Sequence, residues 1–238
     1  MEKNPELSVV VLCYRSEYSI IPFIEKVRKT VEQLTDNFEI ILVANFIENS
    51  DDKTATIVQE IANKDAIYKP ICKPKKGMMG WDMKEGLAIC KGDYICVIDG
   101  DGQFPIENIT KCYIEIKKGT YDFIKTYRIK REDGFYRKLI SKIYNFIFSI
   151  LFSSIDSKDI NSKPKIFTKK VYNQMNLTSD DWFIDAEIML EVKRLGISFY
   201  EFPTEFLSLN DRQSFVKVSA ILEFVKNLIL FKYKEFKP

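Results

Sequence analysis

The residues best suited to chemistry are two carboxylates, Asp99 and Asp101, which follow an apolar run and enclose Gly100. The run, DYICVI, predicts a strand that is buried on both faces. Carboxylates at the end of such a strand can share a divalent cation that also binds phosphate oxygens. The glycine between them permits a tight turn and a close approach of a ligand. Asp-Gly-Asp also occurs in ordinary turns, and it is the position after a buried strand that favours a functional site.

The absence of histidine narrows the chemistry further. It excludes Ser-His-Asp and Cys-His nucleophiles, HExxH zinc sites and an imidazole base. If a metal binds, an oxygen-rich site and a hard cation such as Mg²⁺ or Mn²⁺ are favoured. A net charge of +2 over 238 residues is too small to indicate a nucleic-acid partner.

Cysteine content and the amino-terminal segment indicate a reducing compartment. The cysteines are odd in number, form no CxxC pair and lie in or beside apolar segments: Cys13, Cys72, Cys90, Cys96 and Cys112. This is typical of free buried thiols in a cytoplasmic protein. The first residues, MEKNPELSVVVLCYR, lack the order of a signal peptide, and no uncharged apolar stretch reaches the roughly 18 residues of a membrane span. We therefore expect a cytoplasmic location.

Short apolar runs alternate with segments of helical spacing along the chain. Strands are predicted at 7–12, 38–43, 66–72, 93–98, 122–127 and 199–202. Helices are predicted at 17–34, 54–62, 81–90, 106–118, 136–152, 185–195 and 220–233, the last of them amphipathic. The pattern predicts an α/β fold with a mostly parallel sheet, whose ligand lies beyond the carboxyl ends of the strands. We predict one domain over residues 1–215 and a helical appendage over 216–238.

The segment ICVIDGDGQFP, residues 95–105, closely resembles the DxDxQxP element of family 2 glycosyltransferases. Further segments resemble elements of that family in the same order: SVVVLCYRSE, NSDDKT, KGMMGWDMKEGLAICKGDY and DINSKPKIFTKKVY. The resemblance covers about residues 7–217 and is nearest the polyprenyl-phosphate (dolichyl-phosphate) mannosyl- and glucosyltransferase branch. It implies the GT-A fold of nucleotide-diphospho-sugar transferases.

The resemblance implies a donor site around the two carboxylates. Asp99 would contact the nucleotide ribose or a metal-bound water, and Asp101 would ligate a Mg²⁺ or Mn²⁺ ion on the donor diphosphate, so that both belong to the implied metal site. Gln103 would lie near the sugar or the acceptor. The residues implied in donor and nucleotide binding are Tyr14, Glu17, Asn45, Asp52, Lys76, Asp99, Gly100 and Gln103. For Lys76, a solvated loop is an equally good interpretation.

An acidic pair at the start of the helix predicted at 185–195 matches the family position beside the acceptor. As catalytic residues, Asp185 or Glu187 would take the proton of an acceptor hydroxyl, whereas an acceptor phosphate needs little such help. The alternative is that both are helix N-terminal carboxylates favoured by the macrodipole. The candidates for binding an acceptor phosphate are basic, and arginine offers forked, permanently charged donors for this purpose. They are Arg128, Arg131, Arg212 and Lys217.

Two departures from the family pattern concern the donor nucleobase and the acceptor loop, respectively. After the second predicted strand the family has an acidic turn that helps to read the nucleobase, and here Asn45 replaces the acid in a longer turn. KPKI, residues 163–166, replaces the family's G-F-R-x. The resemblance implies a metal-dependent, inverting transfer from a nucleotide sugar to an acceptor such as a polyprenyl phosphate. The alternatives are a transferase acting on a soluble or lipid-linked saccharide, and a module that binds nucleotide without catalysis.

The apolar segment 136–155 and the predicted helix 220–233 admit two interpretations. Both are rich in large apolar residues and carry lysines, which is typical of helices that lie in a membrane interface. Helices packed onto the α/β core fit the same pattern. The first interpretation predicts a peripheral enzyme at the inner membrane face, where it meets a lipid-linked phosphate acceptor.

Overall fold

The computed structural model describes residues 4–131, 135–153, 155–207 and 226–233, which form a seven-stranded sheet with helices on both faces. The strands are β1 Leu7–Leu12, β2 Phe38–Val43, β3 Tyr68–Ile71, β4 Tyr94–Asp99, β5 Phe123–Arg131, β6 Lys165–Thr168 and β7 Phe199–Phe206. Their order across the sheet is β3-β2-β1-β4-β6-β5-β7. Within the described chain, β6 alone runs antiparallel to its neighbours. The prediction of a mostly parallel sheet is confirmed.

The central strands form because their sequences are continuous apolar runs. All residues of β1 and of β2 are buried, as a strand covered on both faces requires. In register, Leu12 of β1 lies opposite Val43 of β2 on one side and Asp99 of β4 on the other. The carboxyl ends of three neighbouring strands therefore meet at one edge of the sheet.

Helices cover both faces of the sheet and divide the core into two layers. The helices are α1 Ile20–Glu32, α2 Thr54–Ala62, α3 Met79–Ile89, α4 Glu107–Lys117, α5 Phe135–Leu151, α6 Lys169–Tyr172, α7 Ile184–Arg194 and α8, residues 226–233. A 3-10 turn, Glu17–Ser19, precedes α1. One core layer contains α1, α2 and α4 with Val9 and Val11 of β1, and the other contains the remaining helices with Val10. Alternate residues of β1 enter opposite layers because successive side chains of a strand point to opposite faces.

Helix α5 combines a buried face with an exposed apolar one. Tyr144 and Phe148 are buried in the second core layer. The exposed large side chains recur at helical spacing on the other face and are Leu139, Ile143, Phe146 and Ile150. Packing onto the core therefore accounts for one face of this segment. It does not account for the exposed apolar face.

Helix α8 lies against the start of α7. Leu228 is fully buried, and the ring of Phe231 lies 4.9 Å from that of Phe183. The predicted beginning of this helix, at 220, and the predicted domain boundary at 215 fall outside the described residues. Among the helices that the structure describes, none has the length and apolar character needed to cross a bilayer.

The antiparallel strand β6 is a feature that the sequence patterns do not predict. It has only four residues and begins with a lysine. Val97 of β4 pairs with Lys165 of β6, and β6 begins at the edge where the parallel strands end. The residues just before β6 therefore run alongside the end of β4, which brings Lys163 next to Asp99.

Candidate active site

Asp99, at the end of β4, forms an ion pair with a buried lysine. Nζ of Lys163 lies 3.0 Å from Oδ1 of Asp99 and 3.2 Å from Oδ2. The Lys163 side chain is 1% exposed, whereas 25% of the Asp99 side chain is exposed. The carboxylate is thus accessible at the sheet edge while its charge is balanced from the protein interior.

The same ammonium group contacts Asp185 in the first turn of α7. Nζ of Lys163 lies 3.2 Å from Oδ2 of Asp185, and Nζ of Lys165 donates to Oδ1 of that carboxylate. Lys165 also donates to the carbonyl oxygen of Ile160 at 2.9 Å. Lys163 therefore connects Asp99, at the edge, with Asp185, which is 1% exposed.

Burial and charge act in opposite directions on this cluster. Burial disfavours the charge of Asp185, but the two lysines outweigh it and hold the pKa of the carboxyl below its ordinary value. Burial also opposes the charge of Lys163, yet Asp185 and Asp99 together raise its pKa above the ordinary value. For Lys165 burial prevails over Asp185, and the pKa falls to about 8. Lys163 is therefore a stable cation between two carboxylates.

Strand β5 holds the segment that carries Lys163. The guanidinium of Arg128 donates from Nε to Asp159 at 2.6 Å and from a terminal nitrogen at 2.8 Å. Thr126 donates to the carbonyl oxygen of Lys163 at 2.6 Å. Lys125, fully buried, donates to the carbonyl oxygen of Asp159 at 2.6 Å and pairs with Glu201 at 3.0 Å. Residues 159–163 are thus fixed beside the end of β4.

Arg128 is therefore placed differently from the sequence prediction. Its side chain is 9% exposed and pairs with Asp159, which is 8% exposed. Because the guanidinium is committed to a buried carboxylate, its predicted role as a ligand of the acceptor phosphate does not fit. Arg131 ends β5, and its side chain is outside the described part of the structure, as are Arg212 and Lys217. For these three residues acceptor binding stays a prediction.

Asp101 lies in the turn between β4 and α4, where its carboxylate stabilises the backbone of the turn. Its Oδ1 accepts the backbone N–H of Gln103 at 3.0 Å. The Gln103 side chain donates to the carbonyl oxygen of Leu207 at 3.1 Å, and the Leu207 N–H donates to the Gln103 carbonyl oxygen at 2.9 Å. The Asp-Gly-Asp turn is thereby joined to the end of β7.

Gly100 allows the turn after β4 to pack closely against β1 and α1. A β-carbon at this position would lie 2.8 Å from Cδ1 of Ile20 and 3.0 Å from the carbonyl oxygen of Leu12. The Gly100 N–H donates to that same carbonyl oxygen at 2.9 Å. This glycine therefore permits close approach of β1 and α1, and the close approach of a ligand stays a prediction.

A cleft of about 300 Å³ lies beside the ends of β1 and β2. Its lining residues are Tyr14, Arg15, Ile47, Glu48, Asn49, Ser50 and Asp52. The cleft thus contains two of the predicted donor ligands, Tyr14 and Asp52. It also contains the turn after β2, which departs from the family pattern. Asp52 also accepts the N–H of Thr54 at 3.0 Å, and Oγ1 of Thr54 accepts the N–H of Glu17 at 2.8 Å. An aromatic ring among polar side chains suits a nucleobase with its ribose.

Asn45 lies behind this cleft, where it is buried. Its amide donates to Asp82 at 2.9 Å, and Asp82 pairs with Lys75. Burial raises the pKa of Asp82 despite the attraction of Lys75. Nζ of Lys75 lies 4.2 Å from the ring centroid of Tyr14. Asn45 therefore acts on the cleft through Asp82 and Lys75, while Lys76 is exposed in the adjoining loop.

The carboxylate of Glu187 is bonded to the loop before α7. Its carboxylate is buried and accepts the N–H of Thr178 at 2.9 Å, the hydroxyl of Thr178 at 2.7 Å and the N–H of Ser179 at 2.9 Å. These bonds hold the loop before α7. A role of Glu187 as the proton acceptor does not fit this arrangement.

The donor set at β4 fits a hard divalent cation that is shared with a ligand. Carboxylate oxygens of Asp99 and Asp101 are the ligands that Mg²⁺ and Mn²⁺ take, together with phosphate oxygens and water. Among the described residues, no three Cys, Asp or Glu side chains cluster into a complete metal site. Since Lys163 already contacts Asp99, a cation here would depend on oxygen atoms supplied by the donor.

A parallel sheet with an acidic motif at the end of a central strand, and a cleft beside it, defines an α/β protein of the GT-A type. The model of the glycosyl transferase family 2 matches residues 8–179. This match covers well over half of the chain, and the chain belongs to that family.

Curated relatives match about 60% of the chain. The undecaprenyl-phosphate 4-deoxy-4-formamido-L-arabinose transferase of Proteus mirabilis is 32% identical over 146 residues, which are 60% of this chain and 43% of that protein. The protein of the same name from Pseudomonas fluorescens is 30% identical over 141 residues, 58% of this chain and 40% of that protein. The chain thus matches less than half the length of these relatives.

Solved structures share the fold at low sequence identity. Glucosyl-3-phosphoglycerate synthase from Mycobacterium tuberculosis, in complex with Mn²⁺, uridine diphosphate and phosphoglyceric acid, has a TM-score of 0.74 and 14% identity over 96% of this chain and 78% of that one. Its complex with Mn²⁺, uridine-diphosphate-glucose and phosphoglyceric acid has a TM-score of 0.72 and 15% identity over 96% and 79%. These likenesses establish the GT-A fold.

The sequence patterns do not identify the buried cations of this site. Lys163 and Lys165 replace the glycine and the arginine of the family's G-F-R segment. That replacement was the available signal, since two lysines in a segment next to a buried strand call for carboxylate partners. Lys75, which precedes the predicted donor ligand Lys76, lies beside the ring of Tyr14.

Proposed function

We propose that this chain transfers a sugar from a nucleoside-diphosphate donor to an acceptor that is itself a phosphate, with a polyprenyl phosphate as the acceptor class. The names of the curated relatives, which are undecaprenyl-phosphate transferases, support this acceptor. The solved structures with uridine diphosphate and Mn²⁺ support the donor and the cation. The chain's own residues provide a further argument.

The burial and the ion pairs of Asp185 favour a phosphate over a hydroxyl as the acceptor. A hydroxyl acceptor needs a base that can reach its proton and has a suitable pKa. Asp185 is 1% exposed, contacts two lysines and has a pKa below its ordinary value. It is therefore a poor base, whereas a phosphate acceptor is already anionic and needs none.

The transfer is a single displacement in this proposal, with inversion at the anomeric carbon. An oxygen of the acceptor phosphate forms a bond to that carbon while its bond to the donor phosphate oxygen breaks. The electron pair leaves with the nucleoside diphosphate. The cleft beside Tyr14 and Asp52 holds the nucleoside, and Lys163 supplies a positive charge next to Asp99 that offsets negative charge on the leaving group. A divalent cation such as Mg²⁺ or Mn²⁺, held by Asp99, Asp101 and the donor phosphates, supplies further neutralisation when bound.

The exposed face of α5 is the proposed contact with a membrane surface. Phe146 is 65% exposed and Ile150 61%, on a helix that contains three basic residues and no acidic one. Helix α8 adds Ile229 and Tyr233, both more than half exposed, and also lacks acidic residues. Apolar side chains among positive charges suit an anionic bilayer, so the acceptor lipid would be met at the inner membrane face from a cytoplasmic location.

The donor is tested by thermal shift and by hydrolysis. We expect uridine or guanosine diphosphate with Mn²⁺ to raise the melting temperature, because a ligand that binds only the folded state stabilises it. The variant Asp101→Ala should lose this shift and the hydrolysis of the corresponding nucleotide sugar. No turnover of any donor, together with equal nucleotide binding by the variant, would refute the enzymatic function.

The acceptor is tested with short-chain polyprenyl phosphate and with the corresponding free alcohol. Product should form from the phosphate alone, since the alcohol requires a base. Equal rates with both acceptors would contradict the role assigned to Asp185, and transfer only to a soluble saccharide would replace the acceptor class.

Membrane contact is tested by flotation with anionic and with neutral vesicles at low salt. Phe146→Asp should abolish binding to anionic vesicles. Ile114→Asp is the matched control, since Ile114 is 51% exposed on α4, a helix packed on the opposite face of the sheet. Equal flotation of the two variants would show that α5 is not part of the membrane contact.

A further inference from the structure

Lys163 is a buried cation on a carboxylate that the family resemblance assigns to the donor and metal. Its ammonium group contacts both oxygens of Asp99, at 3.0 and 3.2 Å, and one oxygen of Asp185 at 3.2 Å. Its other polar contact is Sδ of Met79 at 3.4 Å. Three contacts with carboxylate oxygens compensate the loss of water around the charge.

The position of this ammonium group is fixed by the surrounding chain. The side chain is 1% exposed, and the Lys163 carbonyl oxygen accepts the hydroxyl of Thr126. Asp159, four residues earlier, is paired with Arg128. Both ends of the segment 159–163 are bonded to β5, so the Lys163 backbone is held beside Asp99, and the burial of the side chain restricts the ammonium group to this position.

A fixed positive charge on Asp99 changes what the site can bind. A divalent cation at Asp99 would share its carboxylate with the ammonium group and be repelled by it, and this repulsion is strong where water is excluded. A nucleoside diphosphate brings negative charge that attracts both cations. We propose that Lys163 is a permanent cation of the donor site, which suppresses metal binding to the site without donor and makes metal entry depend on the nucleoside diphosphate.

This inference rests on the proposed function only for the identity of the donor. The test is Mn²⁺ binding, measured by electron paramagnetic resonance of the free ion, with and without uridine diphosphate. In the wild type, the nucleotide should tighten Mn²⁺ binding by about 10- to 100-fold, within the usual range of coupling between two sites. In Lys163→Met, nucleotide-free Mn²⁺ binding should tighten by a similar factor, and the effect of the nucleotide should shrink.

Lys165→Met is the matched control. It removes the same charge from the same cluster, but Lys165 contacts Asp185 and not Asp99 in the described structure. We expect its nucleotide-free Mn²⁺ affinity to resemble that of the wild type. Equal nucleotide-free affinities of the wild type and of Lys163→Met, or equal tightening in both lysine variants, would overturn the proposal.

A measurement on the wild type alone keeps the test decisive if Lys163→Met does not fold. Uridine diphosphate that binds without changing Mn²⁺ affinity overturns the proposal. If Lys163→Met folds but the protein binds no nucleotide, the proposed function is contradicted instead, and the nucleotide-free Mn²⁺ affinity of the variant still decides the role of the lysine.

Discussion

Arg128 and Asp159 form a two-point ion pair, with Nε and a terminal nitrogen of the guanidinium 2.6 and 2.8 Å from the two carboxylate oxygens. The pair is almost completely buried. It connects β5 with the segment that carries Lys163 to Asp99. The geometry of the active site therefore depends on an ion pair that makes no contact with Asp99 itself.

We predict that Asp159→Asn lowers the free energy of unfolding by about 3–5 kcal/mol, because it removes the negative charge that compensates the buried Arg128 guanidinium. Urea unfolding measures the change. Glu32→Gln is the control: Glu32 pairs with Arg28 on the surface, with side chains 43% and 36% exposed, and its loss should cost less than about 1 kcal/mol. Equal losses in the two variants would contradict a structural role for the buried pair.

The same pair predicts an acid-sensitive contribution to stability. Burial disfavours the charge of Asp159, but Arg128 outweighs it and holds the pKa of the carboxyl well below its ordinary value. The unfolded chain, with a carboxyl pKa of about 3.9, then binds more protons than the folded chain at acidic pH. The stabilisation is present above about pH 4 and is lost as the pH falls from there toward the folded pKa. Urea unfolding between pH 7 and pH 2.5 should show a steeper acid loss in the wild type than in Asp159→Asn.

Glu187→Gln should reduce stability without impairing chemistry. The carboxylate accepts three hydrogen bonds from Thr178 and Ser179, and an amide cannot accept all of them, so about 1–3 kcal/mol is lost. Turnover per folded molecule should stay near the wild-type value. A loss of kcat of about 100-fold or more, the size expected for a missing general base, would restore Glu187 as a catalytic residue.

Tyr14→Ala should weaken the binding of uridine diphosphate by about tenfold or more, the scale of one stacked base. Tyr14→Phe keeps the ring and should bind almost normally. Tyr18→Ala is the control, since Tyr18 is 63% exposed and does not line the cleft. Isothermal titration with the three variants measures the effect, and unchanged affinity in Tyr14→Ala would place the nucleobase elsewhere.

Much of the fold follows from local patterns in the sequence. The apolar runs of β1, β2 and β4 identify buried strands because a strand covered on both faces needs apolar side chains at every position. Asp99 and Asp101 follow from the position of their motif after such a run. Family membership follows from several motifs in one order, each of which is a local property of the chain.

The predictions that the structure does not favour concern residues whose partners the sequence does not show. The sequence predicts Arg128 as a phosphate ligand and Asp185 or Glu187 as a proton acceptor, because it does not show which side chains are already paired. Glu187 accepts hydrogen bonds from Thr178 and Ser179, which lie nine and eight residues earlier in the chain. Arg128 pairs with Asp159, and Asp185 pairs with Lys163 and Lys165, at larger separations in sequence.

The sequence alone therefore established the class of fold, the family and the carboxylates of β4. Only the tertiary structure decided the electrostatics of the site, because Lys163 meets Asp99 across 64 positions of the chain. That contact depends on the antiparallel pairing of a four-residue strand, β6, and on the burial that makes paired charges necessary. Neither the direction of so short a strand nor the burial of a lysine is encoded in the residues next to it.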